Sequence, residues 1–483
     1  MSITDLAVAN NKNGVCATFT PDQQSAYKEL IEFINTPFNE KDYKRALSGA
    51  AGTGKTFLVK SLINNCRLSY HAIGLSAPTH KACRVLQESI GVGNVNTLQS
   101  DLGLKVNFDV EKFDINNVPF DPKGRVKITD YSLYIVDEAS MINRGLLTYL
   151  EKICKQSECK IIYIGDASQL APVGELYSPA FRNVKMSKLS QIVRQGDDNP
   201  VSYLLELLRY DIAHKTFKFL EYICKNPCNF NDANTKGYKL CNSAEFEQTV
   251  YSYFSNEEIT RNVDYAKVIA YTNNNVSAWN KCIRNAIVKD SEKSILTKHD
   301  LVISYDTIVN DFNECVITNS EEYIIKDIVD YTEPKYGLKG FMVKFIAIHG
   351  GSVTTPLFIL DHNDRFSLQM YAKVVHELIE TAKNAPANSR STRWKEYFEF
   401  KQKVLSLLNI NFNNGVNIKR NIDYGFALTS HKSQGSTFDS VLVDVNDIVY
   451  DKNGHIYDNI EEINRRLYVA CSRCKNKLYL KYC

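Results

Sequence analysis

The sequence predicts an α/β protein of more than one domain, and three observations carry that prediction. Its 483 residues exceed what one hydrophobic core usually serves. Short apolar runs at 45–48, 72–76, 132–136, 160–164, 267–271 and 440–445 alternate with stretches of helical spacing, as in strands joined by helices. One junction reads Gly49-x-x-x-x-Gly54-Lys55-Thr56, with an apolar run entering it and the helix-spaced Phe57, Leu58, Leu62 and Ile63 leaving it.

That junction is a phosphate-binding loop. Gly49, Ala50, Ala51, Gly52, Thr53 and Gly54 bend the backbone so that its N–H groups converge on a phosphate, and the following helix adds its positive end. Lys55 would reach the β- and γ-phosphates and the Thr56 hydroxyl would ligate Mg²⁺. An ordinary glycine-rich turn is the alternative, disfavoured by the correctly placed strand and helix. The run at 132–136 delivers Asp137 and Glu138 at its end. Beside a phosphate loop this pair is suited to holding Mg²⁺ (Asp137) and polarising an attacking water (Glu138), rather than forming a solvated turn.

Bulk properties exclude several classes. At 44% hydrophobic and 23% charged residues, the chain is neither disordered nor fibrous. It has no apolar run of about 18 residues and no leader pattern, so a soluble, unexported protein is expected. Its 13 cysteines are odd in number and scattered, which points to thiols; the one C-x-x-C pair, Cys471 and Cys474, has no companion to complete a zinc site. A net charge of +3 does not announce nucleic acid, so a polyanion partner would need a local basic groove.

The remaining elements follow in order. Residues 1–18 read as a loose polar tail. Thr20, Pro21 and Gln23 form a helix start with a capping box; Gln23 either serves only that cap or also reads an adenine edge. Residues 77–82, with Pro78, Thr79 and His80, end one strand and open a helix, and Thr97 begins a short polar element. Residues 101–130 suggest a small β insertion carrying Phe108, Phe113 and Phe120, with Phe113 next to turn-forming residues at its tip. Gln169 follows the strand at 160–164 within reach of a γ-phosphate, and Arg194 closes the first half. Residues 300–360 alternate as a small β-barrel or sheet, and 365–409 switch to two helices. Of these, 394–400 is read as core in preference to a partner-facing surface.

The ordered set is more specific than any one motif. Gln23, the 49–56 loop, 77–79, 137–140, Gly165-Asp166-x-x-Gln169, 189–194, 425–437 and 468–473 together resemble superfamily 1 helicases over nearly the whole chain. Ala-Pro-Thr-x-Lys-Ala, His431-Lys432-Ser433-Gln434-Gly435 and Tyr-Val-Ala-x-Ser-Arg are similar to its 5′-to-3′ branch, superfamily 1B, with RecD-like and Pif1-like members. Spacing and size look most like the Dda-type phage helicases.

The resemblance implies two RecA-like P-loop domains, a small β insertion in the first, and an SH3-like β-barrel plus helical insertion in the second. The expected boundaries are 1–100 and 131–197 for domain 1A around a 101–130 hairpin insertion (1B), then 198–300 and 423–483 for domain 2A around a 301–422 module (2B). It implies that Gln23 reads adenine and that Lys55, Thr56, Asp137, Glu138 and Gly435 serve ATP and Mg²⁺. It also implies that Gln169 senses the γ-phosphate and that Arg194 and Arg473 stabilise developing charge. Pro78, Thr79, His80, Thr97, Thr272, Asn273, Thr429, His431 and Lys432 fall where that family contacts DNA, and Phe113 is a candidate wedge. Cys474 departs from the small residue usual after the arginine. The expected activity is ATP-driven 5′-to-3′ translocation on single-stranded DNA with unwinding of forked duplex, in phage replication or recombination. The alternative is a translocase that displaces proteins or drives branch migration. A monomer in the cytoplasm, host cytoplasm for a phage protein, working beside a single-strand-binding or replication protein, completes the expectation.

Overall fold

The computed structural model describes residues 8–10, 16–91, 95–106, 120–122, 124–172, 174–191, 199–289, 291, 293–310, 315–348, 351–411, 417–418 and 420–482. Three six-stranded sheets organise them.

The first sheet is wholly parallel, in the spatial order Lys185–Leu189, Lys44–Gly49, Lys160–Gly165, Leu133–Val136, Ile73–Ala77 and Asn96–Thr97. Its central runs Leu133–Val136 and Ile161–Ile164 are apolar because helices cover both faces. Leu133, Ile135, Ile162 and Ile164 pack on one side with Leu30, Leu58 and Leu62, while Tyr134, Val136, Ile161 and Tyr163 pack on the other with Leu150. Alternate residues of one strand thus feed opposite cores, as the pleat requires. Leu104–Val106 and Phe120–Pro122 pair antiparallel as the base of the expected insertion. Phe108 and Phe113 lie outside the described residues.

The second sheet runs Cys228–Phe230, Gly237–Cys241, Cys474–Lys481, Phe438–Asp444, Ala266–Ala270 and Ala427–Thr429, parallel except at its first, antiparallel edge. Here too Val441 and Val443 serve one core and Leu442 the other.

The third sheet, within 301–424, orders Val404–Leu405, Leu357–Leu360, Leu338–Ala347, Glu322–Glu333, Leu301–Ser304 and Ile422–Tyr424. Among the described residues no ladder pairs its two end strands, but Asn421 N and Ile422 N donate to Ser406 O at 2.9 and 3.3 Å, which brings the two ends together just past Val404–Leu405. Arg365–Asn384 and Ala387–Lys403 form a helical pair on it. Trp394, Tyr397 and Phe400 are buried there with Tyr371, Val375 and Leu360, which makes that helix face core, as its spacing favoured.

One expectation is corrected. The polar start of the chain is not wholly loose, because Val8–Asn10 and Cys16–Thr18 pair as a short antiparallel ladder. The backbone bonds of such a ladder need no apolar side-chain pattern, and none marks it in the sequence.

Candidate nucleotide site and nucleic-acid interface

The phosphate loop joins the strand Lys44–Gly49 to the helix Lys55–Asn65. Gly52 (φ 84°) and Gly54 (φ 79°) are left-handed, a conformation that glycine adopts without the steric cost of a side chain. The loop is drawn tight by Thr53 Oγ1 donating to Ala50 O at 2.9 Å, and Lys55 Nζ donates to Gly49 O at 2.7 Å and Ala50 O at 3.0 Å. Gln23 is buried and does two things at once. Its Oε1 accepts from Thr20 N at 3.0 Å to complete the capping box, and its Nε2 donates to Thr53 O at 2.9 Å. The cap is therefore also a strut beneath the phosphate loop.

Asp137 and Glu138 leave the strand Leu133–Val136 beside this loop. Burial, then the adjacent Glu138, push the Asp137 carboxyl up to about 6 against the opposing pull of Lys55. Glu138 is left-handed at φ 48° without being glycine, a conformation that costs about 1–3 kcal/mol and clusters at functional sites. Glu138 Oε2, Ser140 Oγ and Gln169 Oε1 are buried without a hydrogen-bond partner. Orphaned acceptors beside a phosphate cradle fit a site made for a polar, hydrated ligand. The hard oxygen donors Thr56 and Asp137 suit Mg²⁺, which would supply charge neutralisation at phosphate oxygens.

The second half closes on this site through the helix Ile460–Ser472. Arg465 Nη1 donates to Ala167 O at 2.7 Å and to Gln169 O at 2.9 Å, Tyr468 Oη donates to Asp166 at 2.6 Å, and Gln434 Nε2 donates to Leu170 O at 3.3 Å. The same turn is tied to the phosphate-loop strand, because Ala167 N donates to Ser48 Oγ at 3.1 Å. Arg473 is buried, its guanidinium aimed by bonds to Val469 O at 3.1 Å, Ser436 O at 3.2 Å and Ser472 Oγ at 2.8 Å. Burial draws its pKa below the ordinary arginine value, and the first opposing charge is Glu138 of the other half. Gly435 is left-handed at φ 73°, and a Cβ there would lie 3.9 Å from Ala82 of the first half. Arg194 lies outside the described residues.

The expected DNA-contact residues share one kind of position. Thr79, Thr97 and Thr272 each follow or end a parallel strand and cap the next helix, accepting from Ala82 N, Ser100 N and Asn275 N. Thr429 ends its strand and accepts from Lys432 N at 3.2 Å. The C-terminal edge of a parallel sheet is where open α/β folds bind ligands, and a cap that only accepts leaves its hydroxyl proton free to donate, as at Thr79 and Thr97 but not at Thr272, which donates to Asp447. Pro78 and His431 are half-buried, and His80 and Asn273 are exposed. Burial, then Arg466, hold the His431 imidazole below its usual pKa. Asp447 fixes the Thr272 loop, accepting from Tyr271 N and Thr272 N at 2.7 Å each and from Thr272 Oγ1 at 2.8 Å. Lys432 packs on the third sheet, with Nζ 3.9 Å from the Tyr305 ring centroid.

Sequence reasoning missed Arg465, Gln434, Asp447 and the Tyr468–Asp166 bond. A signal existed for the helix: 461, 465, 468 and 472 fall on one face at helical spacing.

A protein-family model described as an AAA domain matches residues 19–222. The ATP-dependent DNA helicase dda of Enterobacteria phage T4 is 22% identical, with 94% of this chain and 97% of that protein covered. The chain resembles a superfamily 1B helicase over nearly its full length. An uncharacterized protein of Acanthamoeba polyphaga mimivirus is 26% identical, covering 95% of this chain and 99% of that one. The crystal structure of Pif1 helicase from Candida albicans aligns over 97% of this chain and 95% of its own, at 17% identity and a TM-score of 0.47.

Proposed function

We propose that the chain is an ATP-dependent DNA helicase that moves 5′-to-3′ on single-stranded DNA and opens forked duplex. One observation carries the reading: the helix Ile460–Ser472, which ends at the buried Arg473, bonds through Arg465 and Tyr468 to the Asp166–Gln169 turn of the first half, so a complete hydrolytic site forms only where the halves meet. Lys55 and the loop amides hold the triphosphate, Glu138 orients the attacking water, Gln169 senses the γ-phosphate, and Arg473 with Arg194 stabilises charge in the transition state. Thr56 and Asp137 hold Mg²⁺. Closure then depends on nucleotide state, and the threonine-capped edges of both sheets alternate as grips on the strand.

In this reading the domain limits follow the sequence expectation, and the sheet within 301–424 is the SH3-like module. The insertion at 101–130 supplies the strand-separating wedge, with Phe113 at its tip. The protein works as a monomer in the cytoplasm on viral DNA during replication or recombination, beside a single-strand-binding protein. Similarity in sequence to the T4 helicase along almost the whole of both chains supports it.

The test is ATP turnover with and without single-stranded DNA. Strong stimulation is expected. Turnover indifferent to DNA would remove the motor reading.

A further inference from the structure

The turn at 319–322 of the third sheet collects cationic side chains from both halves of the molecule. From the second half, Lys432 Nζ donates to Asn319 Oδ1 at 3.4 Å, Ser320 Oγ at 3.3 Å and Ser304 O at 3.2 Å. Lys267, wholly buried, donates to Glu322 at 2.6 Å and to Gly425 O at 2.7 Å. From the first half, Arg84 donates to Glu321 at 2.9 Å and Lys81 lies 3.5 Å from Glu322. Lys81 and Arg84 both belong to the helix His80–Ile90, which Thr79 caps.

These contacts differ in permanence. Glu322 is 4% exposed and cannot carry a charge there unpaired, but Lys267 satisfies it from within its own half. Lys81 is thus a second cation that can leave without orphaning the carboxylate. The Arg84 side chain is 30% exposed but that of Glu321 only 8%, so Arg84 can leave at small cost only as the halves part and water reaches the Glu321 carboxylate. One end of the turn is bolted to the Lys432 loop, and the other is held reversibly by the helix behind Thr79. Thr79 and Thr429 are the two grips whose spacing must change if the strand is to move.

We propose that the 319–322 turn is a reversible latch between the two halves. Arg84 and Lys81 fasten the Thr79 helix to it when the halves close and release it when they open, which fixes the closed spacing of the two grips. Glu321, Glu322, Arg84 and Lys81 are positioning residues for translocation. This inference rests on the motor reading above for its purpose, but not for its existence.

The test is Arg84→Glu alone and combined with Glu321→Arg in the full chain. Hydrogen exchange of the helix and of the turn should quicken in the single variant and return in the swapped pair. The DNA-stimulated ATPase rate should fall about fivefold or more in the single variant, a larger loss than that of turnover without DNA, and recover in the swap. Unchanged exchange in Arg84→Glu, or a swap no better than the single variant, would overturn the latch. If the unaltered protein shows no stimulation by DNA, the motor reading falls and the exchange measurement alone decides the latch.

Discussion

Tyr468 donates a 2.6 Å hydrogen bond to Asp166, joining side chains 302 residues apart across the two halves. Asp166 also accepts from Ser168 N at 2.9 Å, so it shapes the turn that presents Gln169. Tyr468→Phe removes the crossing bond and leaves a buried carboxylate oxygen short of a donor. A bond to a charged group is worth about 1.5–3 kcal/mol, so maximal ATP turnover should fall about tenfold or more with ATP affinity little changed. Steady-state kinetics at saturating ATP check this.

Lys55→Ala should abolish ATP hydrolysis while most single-stranded DNA affinity survives, because the threonine caps lie on other loops. Turnover and DNA-binding anisotropy, measured on the same preparation, separate the two losses.

Arg473→Ala should bind ATP nearly as well as the unaltered protein and hydrolyse it about 10³-fold more slowly, since such an arginine acts on charge that appears in the transition state. If nucleotide affinity fell in proportion to rate, Arg473 would be a ground-state contact.

Gln23→Glu separates the two roles of that side chain. Glutamate keeps the capping box but cannot donate to Thr53 O. Thermal stability should fall, because a buried carboxylate oxygen then faces the Thr53 carbonyl, and the KM for ATP should rise with it. An unchanged KM would reduce Gln23 to a cap.

Burial lowers the Lys432 ammonium to about 8 against the opposing pull of Asp306, whereas an unfolded lysine titrates near 10.4. Between those values the unfolded chain holds more protons, so this group adds stability as pH rises from about 8 to about 10 and loses it as pH falls through about 8. Urea unfolding of Lys432→Met and of the unaltered protein should therefore diverge across that window, with the latter gaining. A constant difference would place Lys432 in water.

What was legible in the sequence was local. The phosphate loop, the capping box of Thr20 and Gln23, and the strand that delivers Asp137 are each written within about ten neighbouring residues, where backbone preference and apolar spacing act directly. The closure of the site was not. Arg465 reaches Ala167 and Gln169 at separations of 298 and 296 residues, and the partners are backbone carbonyls, which every residue type offers alike. Lys432 shows the same limit, because the 431–435 run marks it as a candidate DNA contact, while its contacts with Tyr305 and the 319–322 turn come from residues distant in the chain. The 8–10 and 16–18 ladder was hidden for the complementary reason, since its pairing is carried by backbone.

The central claim is most directly tested by strand separation on forked duplexes carrying a single 5′ or a single 3′ single-stranded tail, with ATP and Mg²⁺ present. The account predicts unwinding of the 5′-tailed substrate, little of the 3′-tailed one, and none by Lys55→Ala. Equal unwinding of both, preference for the 3′ tail, or ATP turnover with no unwinding of either would contradict it.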